Sequence, residues 1–298
     1  MGKKAATERL QVGYQGSAGA YSYLAAGQYF AARRHQLDCH GFRTFAELVR
    51  AVEERSMDYG MLPVENTTAG SINEAYDLME SAGVHAVGEA VFRVEHCLVV
   101  LEPIPVERIR RIASHPQALA QCSEFLATLT ECTIESYADT AMAVTKVVHD
   151  RDPAQAAIAS QEAARRHALQ VIKRDIGNEL DNYTRFLVIA AEPVPCREGV
   201  ACKTSLVFAT AHERGALARC IDVFAAHDLN LTKLESRPRR GKPFEYLFYL
   251  DFEGDAAQPA PRAALDELAG RTGFLKVLGS YEAHAEPLVR RAAGLSER

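Results

Sequence analysis

The feature that most restricts the fold is a repeated change of hydrophobic period. From residue 10 to residue 191, short apolar runs alternate with stretches whose apolar residues recur at helical spacing. Alternation of that kind is the sequence form of a layered α/β unit, because each strand must bury a face against a neighbouring helix. The spacing predicts strands over 10–14, 39–42 and 59–62, with helices over 21–33, 45–55 and 72–81. A long β-rich run, 86–101, can cross from one lobe to another. Strands are then expected at 109–113, 133–137 and 171–173, and helices at 116–129, 140–148 and 154–167, before a strand at 185–191. The segment 192–202, with Pro193, Pro195 and Gly199 among charged residues, reads as a linker. Beyond it the order is βαββαβ over about eighty residues, an α+β pattern that matches the ferredoxin-like motif. A chain of 298 residues with 48% hydrophobic content can bury two cores. The expected division is one unit over 10–192 and a second over 202–283, followed by a charged, helical tail to which no chemistry is assigned.

A formal charge of −5 supplies no basic stripe for nucleic acid or anionic lipid, so the expected partner is a small molecule. No run approaches the roughly 18 apolar residues of a membrane span. The first nine residues carry Lys3, Lys4 and Arg9 without the apolar stretch of a signal peptide, and Met1-Gly2 is followed by Ala6 where a myristoylation site wants a hydroxyl. A cytoplasmic protein with a short solvated tail is expected. Seven cysteines without a C-x-x-C pair frame neither a disulfide scaffold nor a zinc ribbon. His35, Cys39 and His40 have ligand-type side chains but lack a fourth partner, so no metal is expected.

Several clusters carry chemistry. In Asn182-Tyr183-Thr184-Arg185-Phe186 a hydroxyl and a guanidinium stand together at the mouth of an apolar strand, where open α/β proteins bind small ligands. A guanidinium clamps a carboxylate in bidentate fashion and keeps its charge when desolvated, which suits a small anion. Gly13, Gly16 and Gly19 lie between a strand and a helix. Their backbone N–H groups either receive an anion or simply close a tight turn. Glu65, Asn66, Thr67, Thr68 and Ser71 concentrate hydrogen-bonding groups at another strand-to-helix junction; capping by Ser71 with Glu74 accounts for part of that cluster but not for Glu65 and Asn66. Ser114-His115-Pro116-Gln117 is a third such junction, where Gln117 can reach a ligand and His115 either caps or stays solvated. His96 and Cys97 are adjacent on a strand and point to opposite faces, so they do not form a nucleophile–base pair.

Taken in order, these motifs resemble the prephenate dehydratase family: Gly16-x-x-Gly19-Ala20-Tyr21-Ser22, residues 63–71, His96-Cys97-Leu98, Ser114-His115-Pro116-Gln117, residues 182–186, Gly215-Ala216-Leu217 and Glu235-Ser236-Arg237-Pro238. The resemblance covers residues 10–281. It implies a catalytic unit of two α/β lobes like those of a periplasmic binding protein, lobe 1 over 10–92 with 178–192 and lobe 2 over 93–177, and then an ACT domain over 202–283. It implies decarboxylating dehydration of prephenate to phenylpyruvate without a cofactor, with Thr184 as the catalytic residue, Arg185 anchoring a carboxylate and Glu65 as proton source. Asn66, Thr67, Ser71, Gln117, Ser22 and Ala20 are the implied substrate contacts. Gly215, Ala216, Leu217, Asn230, Glu235, Ser236, Arg237 and Pro238 are the implied site for phenylalanine as feedback effector, in a homodimer or homotetramer. Ser17 and Ala20 depart from the family's first-loop pattern, and 14–16 with 118–122 look closer to the arogenate dehydratase branch. Arogenate is therefore the alternative substrate, and a non-catalytic amino-acid sensor is the competing class.

Overall fold

The computed structural model describes residues 9–32, 37–239 and 245–283. His35, the first eight residues and the tail after residue 283 lie outside that range. The chain begins with β1 (Leu10–Gln15), α1 (Tyr21–Tyr29), β2 (Leu37–Phe42), α2 (Phe45–Glu53), β3 (Tyr59–Asn66), the two-residue β4 (Gly70–Ser71), α3 (Asn73–Ser81) and β5 (His85–Arg93). It continues through β6 (Cys97–Val100), β7 (Arg111–Ser114), α4 (Pro116–Gln121), α5 (Ser123–Ala127), β8 (Thr133–Ser136), α6 (Thr140–Asp150), β9 (Gln155–Ala159), α7 (Gln161–Arg166) and β10 (Gln170–Lys173). Next is β11 (Tyr183–Ala190). The chain ends with β12 (Cys202–Thr210), α8 (Ala216–Ala226), β13 (Leu231–Pro238), β14 (Tyr246–Glu253), α9 (Pro259–Ala269) and β15 (Thr272–Glu282).

These strands make three sheets: β2-β1-β3-β11-β5 with β4 on β3, then β10-β6-β9-β7-β8, then β13-β14-β12-β15. The first two are mixed, and every pairing in the third is antiparallel. The run 86–101 divides at 94–96, with β5 in the first sheet and β6 in the second. β11 returns to the first sheet and lies antiparallel between β3 and β5.

Two expected helices differ. Residues 154–167 contain the strand β9 before the short α7. All five residues of β9 are buried, and its alanine-rich sequence reads as helix until both faces are covered by protein. The helix expected over 116–129 is broken at Cys122, because Asn178 takes over its local hydrogen bonds. The Asn178 N–H donates to the Gln121 carbonyl at 2.7 Å, and the Glu124 N–H donates to Asn178 Oδ1 at 3.1 Å.

β11 has apolar packing on both faces. Phe186 and Val188 join Val12, Tyr14, Ala25 and Met61 beneath α1. Leu187 and Ile189 face the other way, into a core that also contains Val207, Ala209, Leu247, Tyr249, Leu278 and Tyr281 of the third sheet. The third sheet therefore shares a core with the first. At the contact, Gly279 has φ 153°, and an added Cβ would lie 2.1 Å from the Ala86 carbonyl oxygen, so only glycine permits this approach. Lys276 reaches the end of α3 and donates to the carbonyls of Met79, Glu80 and Ala82 at 2.7–2.8 Å, satisfying acceptors that a helix terminus leaves open.

Candidate active site

Side chains alternate along β11, and a bulge at Val64 of β3 keeps Asn66 beside Thr184 and Glu65 beside Arg185, so the expected site is divided between two faces of the first sheet. On the face shared with α1, Asn66 is the organising residue. Its Nδ2 donates to Asn182 Oδ1 at 2.7 Å, the Tyr183 carbonyl at 3.1 Å and Thr184 Oγ1 at 3.0 Å. Its Oδ1 accepts from the Thr68 hydroxyl at 2.7 Å, the Thr68 and Ala69 N–H groups at 3.0 and 2.9 Å, and Gln121 Nε2 at 3.2 Å. Asn66, Asn182 and Thr184 are all buried. Because Thr184 Oγ1 is used as an acceptor, its own proton remains available for a ligand.

Gln121, supplied by the second sheet's α4, also donates to the Thr68 hydroxyl. Its orientation is set from behind by His96, whose Nε2 lies 2.8 Å from Gln121 Oε1. Burial lowers the His96 pKa, only partly opposed by the Gln121 hydrogen bond, so the imidazole is neutral and its Nε2–H is the donor. Tyr21 from the start of α1 packs edge-on against His96 and donates to the Glu95 carbonyl at 2.7 Å. Cys97 is buried and its thiol is pushed up to about 12, first by burial and then by Glu95, which rules it out as a thiolate nucleophile at neutral pH.

The glycine turn after β1 has φ 101° at both Gly16 and Gly19. It does receive a carboxylate, and that carboxylate belongs to the protein: Asp139 Oδ2 accepts from the Ser17 N–H at 3.1 Å and the Ser17 hydroxyl at 2.9 Å, while its Oδ1 caps α6. Ser160 donates to the Gly19 carbonyl at 3.0 Å. Both contacts join the first sheet's loop to helix starts of the second. Ala20 and Ser22 are buried at the first turn of α1, where no side chain caps the helix. Beside them a groove of about 830 Å³ runs between α1 and α7 and includes Tyr21, Phe92, Ser160 and Gln161. Phe92 is the register partner of Thr184, so the groove and the Asn66 cluster are neighbours.

The opposite face is charged. Arg185 Nε donates to Glu89 Oε2 at 2.6 Å, Nη1 to Asp251 Oδ2 at 2.6 Å and Nη2 to Tyr281 Oη at 2.9 Å. Glu65 lies 3.7 Å from Arg185 and 3.3 Å from Lys233. Lys203 donates to Glu89 Oε1 at 3.0 Å. Burial opposes the charge on Arg185, but Tyr281, Asp251 and Glu89 outweigh it and raise the pKa above the ordinary value. Burial likewise favours neutral Glu89, yet Arg185 and Lys203 hold its carboxyl below the usual range.

Several expected residues are placed differently from one another. Arg185 is engaged by Glu89, Asp251 and Tyr281, and Glu65 lies beside Arg185 and Lys233 on the face opposite the Thr184 hydroxyl. Ser71 lies in β4 rather than capping α3, and it bonds Glu235 and Lys233. Thr67 ties β3 to β11 by donating to the Asp181 carbonyl at 3.0 Å and accepting from the Tyr183 N–H at 2.9 Å. Gln117 is exposed and its backbone N–H is capped by His115, while Gln121, one turn further along the same helix face, enters the cluster. Gln121 is the cluster member that sequence reasoning did not single out, whereas Thr68 already stood in its hydrogen-bonding run after β3. The i,i+4 relation between the two glutamines was the available signal.

The expected effector positions do not meet in one place within the chain. Gly215 is the N-cap of α8, and with Ala216 and Leu217 it lines a cavity of about 240 Å³ that also includes Thr210 and Tyr246. Asn230 adjoins the opposite end of the sheet, since Leu231 pairs with Phe252 and Pro238 with Tyr246. Glu235 and Arg237 face the first unit, where Arg237 lies 3.3 Å from Asp77, whereas Ser236 and Pro238 are exposed. Among the described residues, no group of three His, Cys, Asp or Glu is placed to hold a metal, and no helix is long and apolar enough to cross a membrane.

An α/β scaffold that gathers neutral hydrogen-bonding groups at strand ends between two sheets defines a binder or enzyme of small polar molecules. The sequence model described as prephenate dehydratase matches residues 12–194, and the chain belongs to that family. It is 40% identical over 284 residues to arogenate dehydratase/prephenate dehydratase 2 of Arabidopsis thaliana, covering 92% of this chain and 73% of that one. Among solved structures, it is similar to GqqA, described as a quorum quenching acylase, with TM-score 0.81 and 32% identity over 94% of this chain and 99% of that one. It is also similar to prephenate dehydratase in complex with L-Phe from Arthrobacter aurescens, with TM-score 0.82 and 26% identity over 91% of this chain and 90% of that one.

Proposed function

We propose that this chain is a prephenate dehydratase and accepts arogenate as a second substrate. Prephenate loses its ring carboxylate as carbon dioxide while the electrons of the broken C–C bond enter the ring and expel the ring hydroxyl. One proton is consumed, and the hydroxyl leaves as water. Aromatisation supplies the drive, so the protein's tasks are orientation and stabilisation of the departing oxygen. The observation that carries the reading is the Thr184 hydroxyl, buried, supported by Asn66 and left with its proton to donate. Gln121 and Thr68 join Asn66 in positioning the substrate. The uncapped first turn of α1 at Ala20–Ser22 offers backbone donors for the side-chain carboxylate. A neutral front face suits this chemistry, because a cation on the departing carboxylate would hold it back. Acyl transfer finds less support: the Thr184 hydroxyl contacts an amide rather than a base.

In this reading the first two sheets are the two lobes of a binding-protein-like catalytic unit, 10–92 with 178–192 and 93–177. The third is an ACT domain over 202–283 with ferredoxin-like strand order. Phenylalanine is its effector, bound at the cavity beside Gly215, Ala216 and Leu217, and a second copy of the chain completes the site in a cytoplasmic homodimer or homotetramer. The test is to incubate purified protein separately with prephenate and arogenate and to quantify phenylpyruvate and phenylalanine. Turnover of at least one is expected. Binding of phenylalanine without any turnover would make the protein a sensor.

A further inference from the structure

The ion cluster behind Thr184 is surrounded by protein, and its acceptors come from two different sheets. Glu89 is on β5 of the first sheet, whereas Asp251 and Tyr281 are on β14 and β15 of the third. The Glu89 and Asp251 side chains are only 1% and 3% exposed, and Arg185 is 14% exposed. A buried ion group of this kind adds little stability over an apolar one of equal volume, but it does restrict geometry. Its position is informative. Arg185 is the next residue after Thr184, and Glu65, which faces Lys233 of β13, is the residue before Asn66. Both residues of the Asn66–Thr184 hydrogen bond thus have their backbone neighbour contacted by the third sheet.

We propose that Asp251, acting through Arg185, sets the position of the Thr184 hydroxyl, making Arg185 a positioning residue and coupling the C-terminal sheet to the cleft. Effector occupancy of that sheet is then read at Thr184 by movement of β11, without any contact between effector and substrate. Displacement of a reacting group by about 1 Å costs on the order of 10²-fold in rate, so a small movement is sufficient.

The activity part of this inference rests on the dehydratase reading, and the test separates the two. Asp251→Asn is compared with wild type in kcat and KM for prephenate, in inhibition by phenylalanine, and in amide hydrogen exchange over residues 183–187. We expect kcat to fall about 10- to 100-fold with KM changed less than about threefold, phenylalanine still bound but its effect on turnover lost, and faster exchange in β11. A KM increase of about tenfold or more with kcat retained would overturn the inference, because it would place Arg185 on the substrate. Unchanged exchange and unchanged kcat would overturn it too. If wild type turns over neither substrate, the dehydratase reading fails while exchange still decides the positioning claim. Should Asp251→Asn not fold, Arg185→Lys serves instead: retained charge with a lost fork predicts the same kcat-selective defect, and normal kcat rejects it.

Discussion

The two faces of β11 use polar residues in opposite ways. In front, Thr184, Asn66, Thr68 and Gln121 are uncharged and satisfy one another through hydrogen bonds that a ligand can replace. Behind, Arg185, Glu89, Asp251 and Lys203 are charged, buried or partly buried, and joined across two sheets. A neutral hydrogen bond contributes about 1 kcal/mol net, whereas breaking one partner of a buried ion pair costs roughly 3–5 kcal/mol, so the front face is the cheaper of the two to rearrange. The contrast teaches that readily exchanged and firmly fixed polar contacts are divided between adjacent residues of one strand.

The largest expected effect tests the front. Thr184→Ala should lower kcat by about 10²- to 10⁴-fold with little change in KM, as loss of a group acting on the departing oxygen requires. Steady-state kinetics on prephenate check this, and near-normal turnover would remove Thr184 from the chemistry. The rear face is tested by stability. Arg185→Met should lose roughly 3–5 kcal/mol in urea unfolding, and adding Asp251→Leu should restore part of it by removing an unpaired carboxylate. Additive losses would mean that the two side chains do not interact.

Gln121→Ala should reduce kcat/KM by about 10- to 100-fold, from loss of one or two positioning hydrogen bonds, and lower unfolding stability by about 1–3 kcal/mol, because the buried His96 Nε2–H loses its acceptor. The corresponding Gln117→Ala should be close to wild type. The smallest effect concerns pH. The His96 pKa is lowered in the folded protein, chiefly by burial, from an ordinary value of 6.5. Below about pH 6.5 the unfolded chain therefore binds a proton that the folded chain refuses, and stability falls with pH until the folded imidazole also titrates. His115 is shifted in the same direction by burial, so His96→Gln should flatten the melting-temperature slope between pH 7 and 5 only in part. An unchanged slope would mean that His96 is accessible to protons.

Much of this architecture was legible before any coordinates. The start of β11 beside Thr184, the hydrogen-bonding cluster after β3 and the βαββαβ order of the last sheet all follow from local period and turn chemistry. Other features were not. The alanine-rich β9 became a strand because neighbours cover both its faces, and α4 ended at Cys122 because Asn178, far along the chain, took its hydrogen bonds.

Alternation along a strand separated His96 from Cys97 on sequence alone, but the same rule was not applied to Thr184 and Arg185, which were expected to act side by side and instead point to opposite faces of β11. Only the tertiary structure decided which side carries the neutral Asn66 cluster and which the ion group. A strand's pleat is a local property of its backbone, whereas the identity of each face depends on what packs against it. Here α1 covers one side, and a sheet from the far end of the chain covers the other with its own carboxylate on the guanidinium.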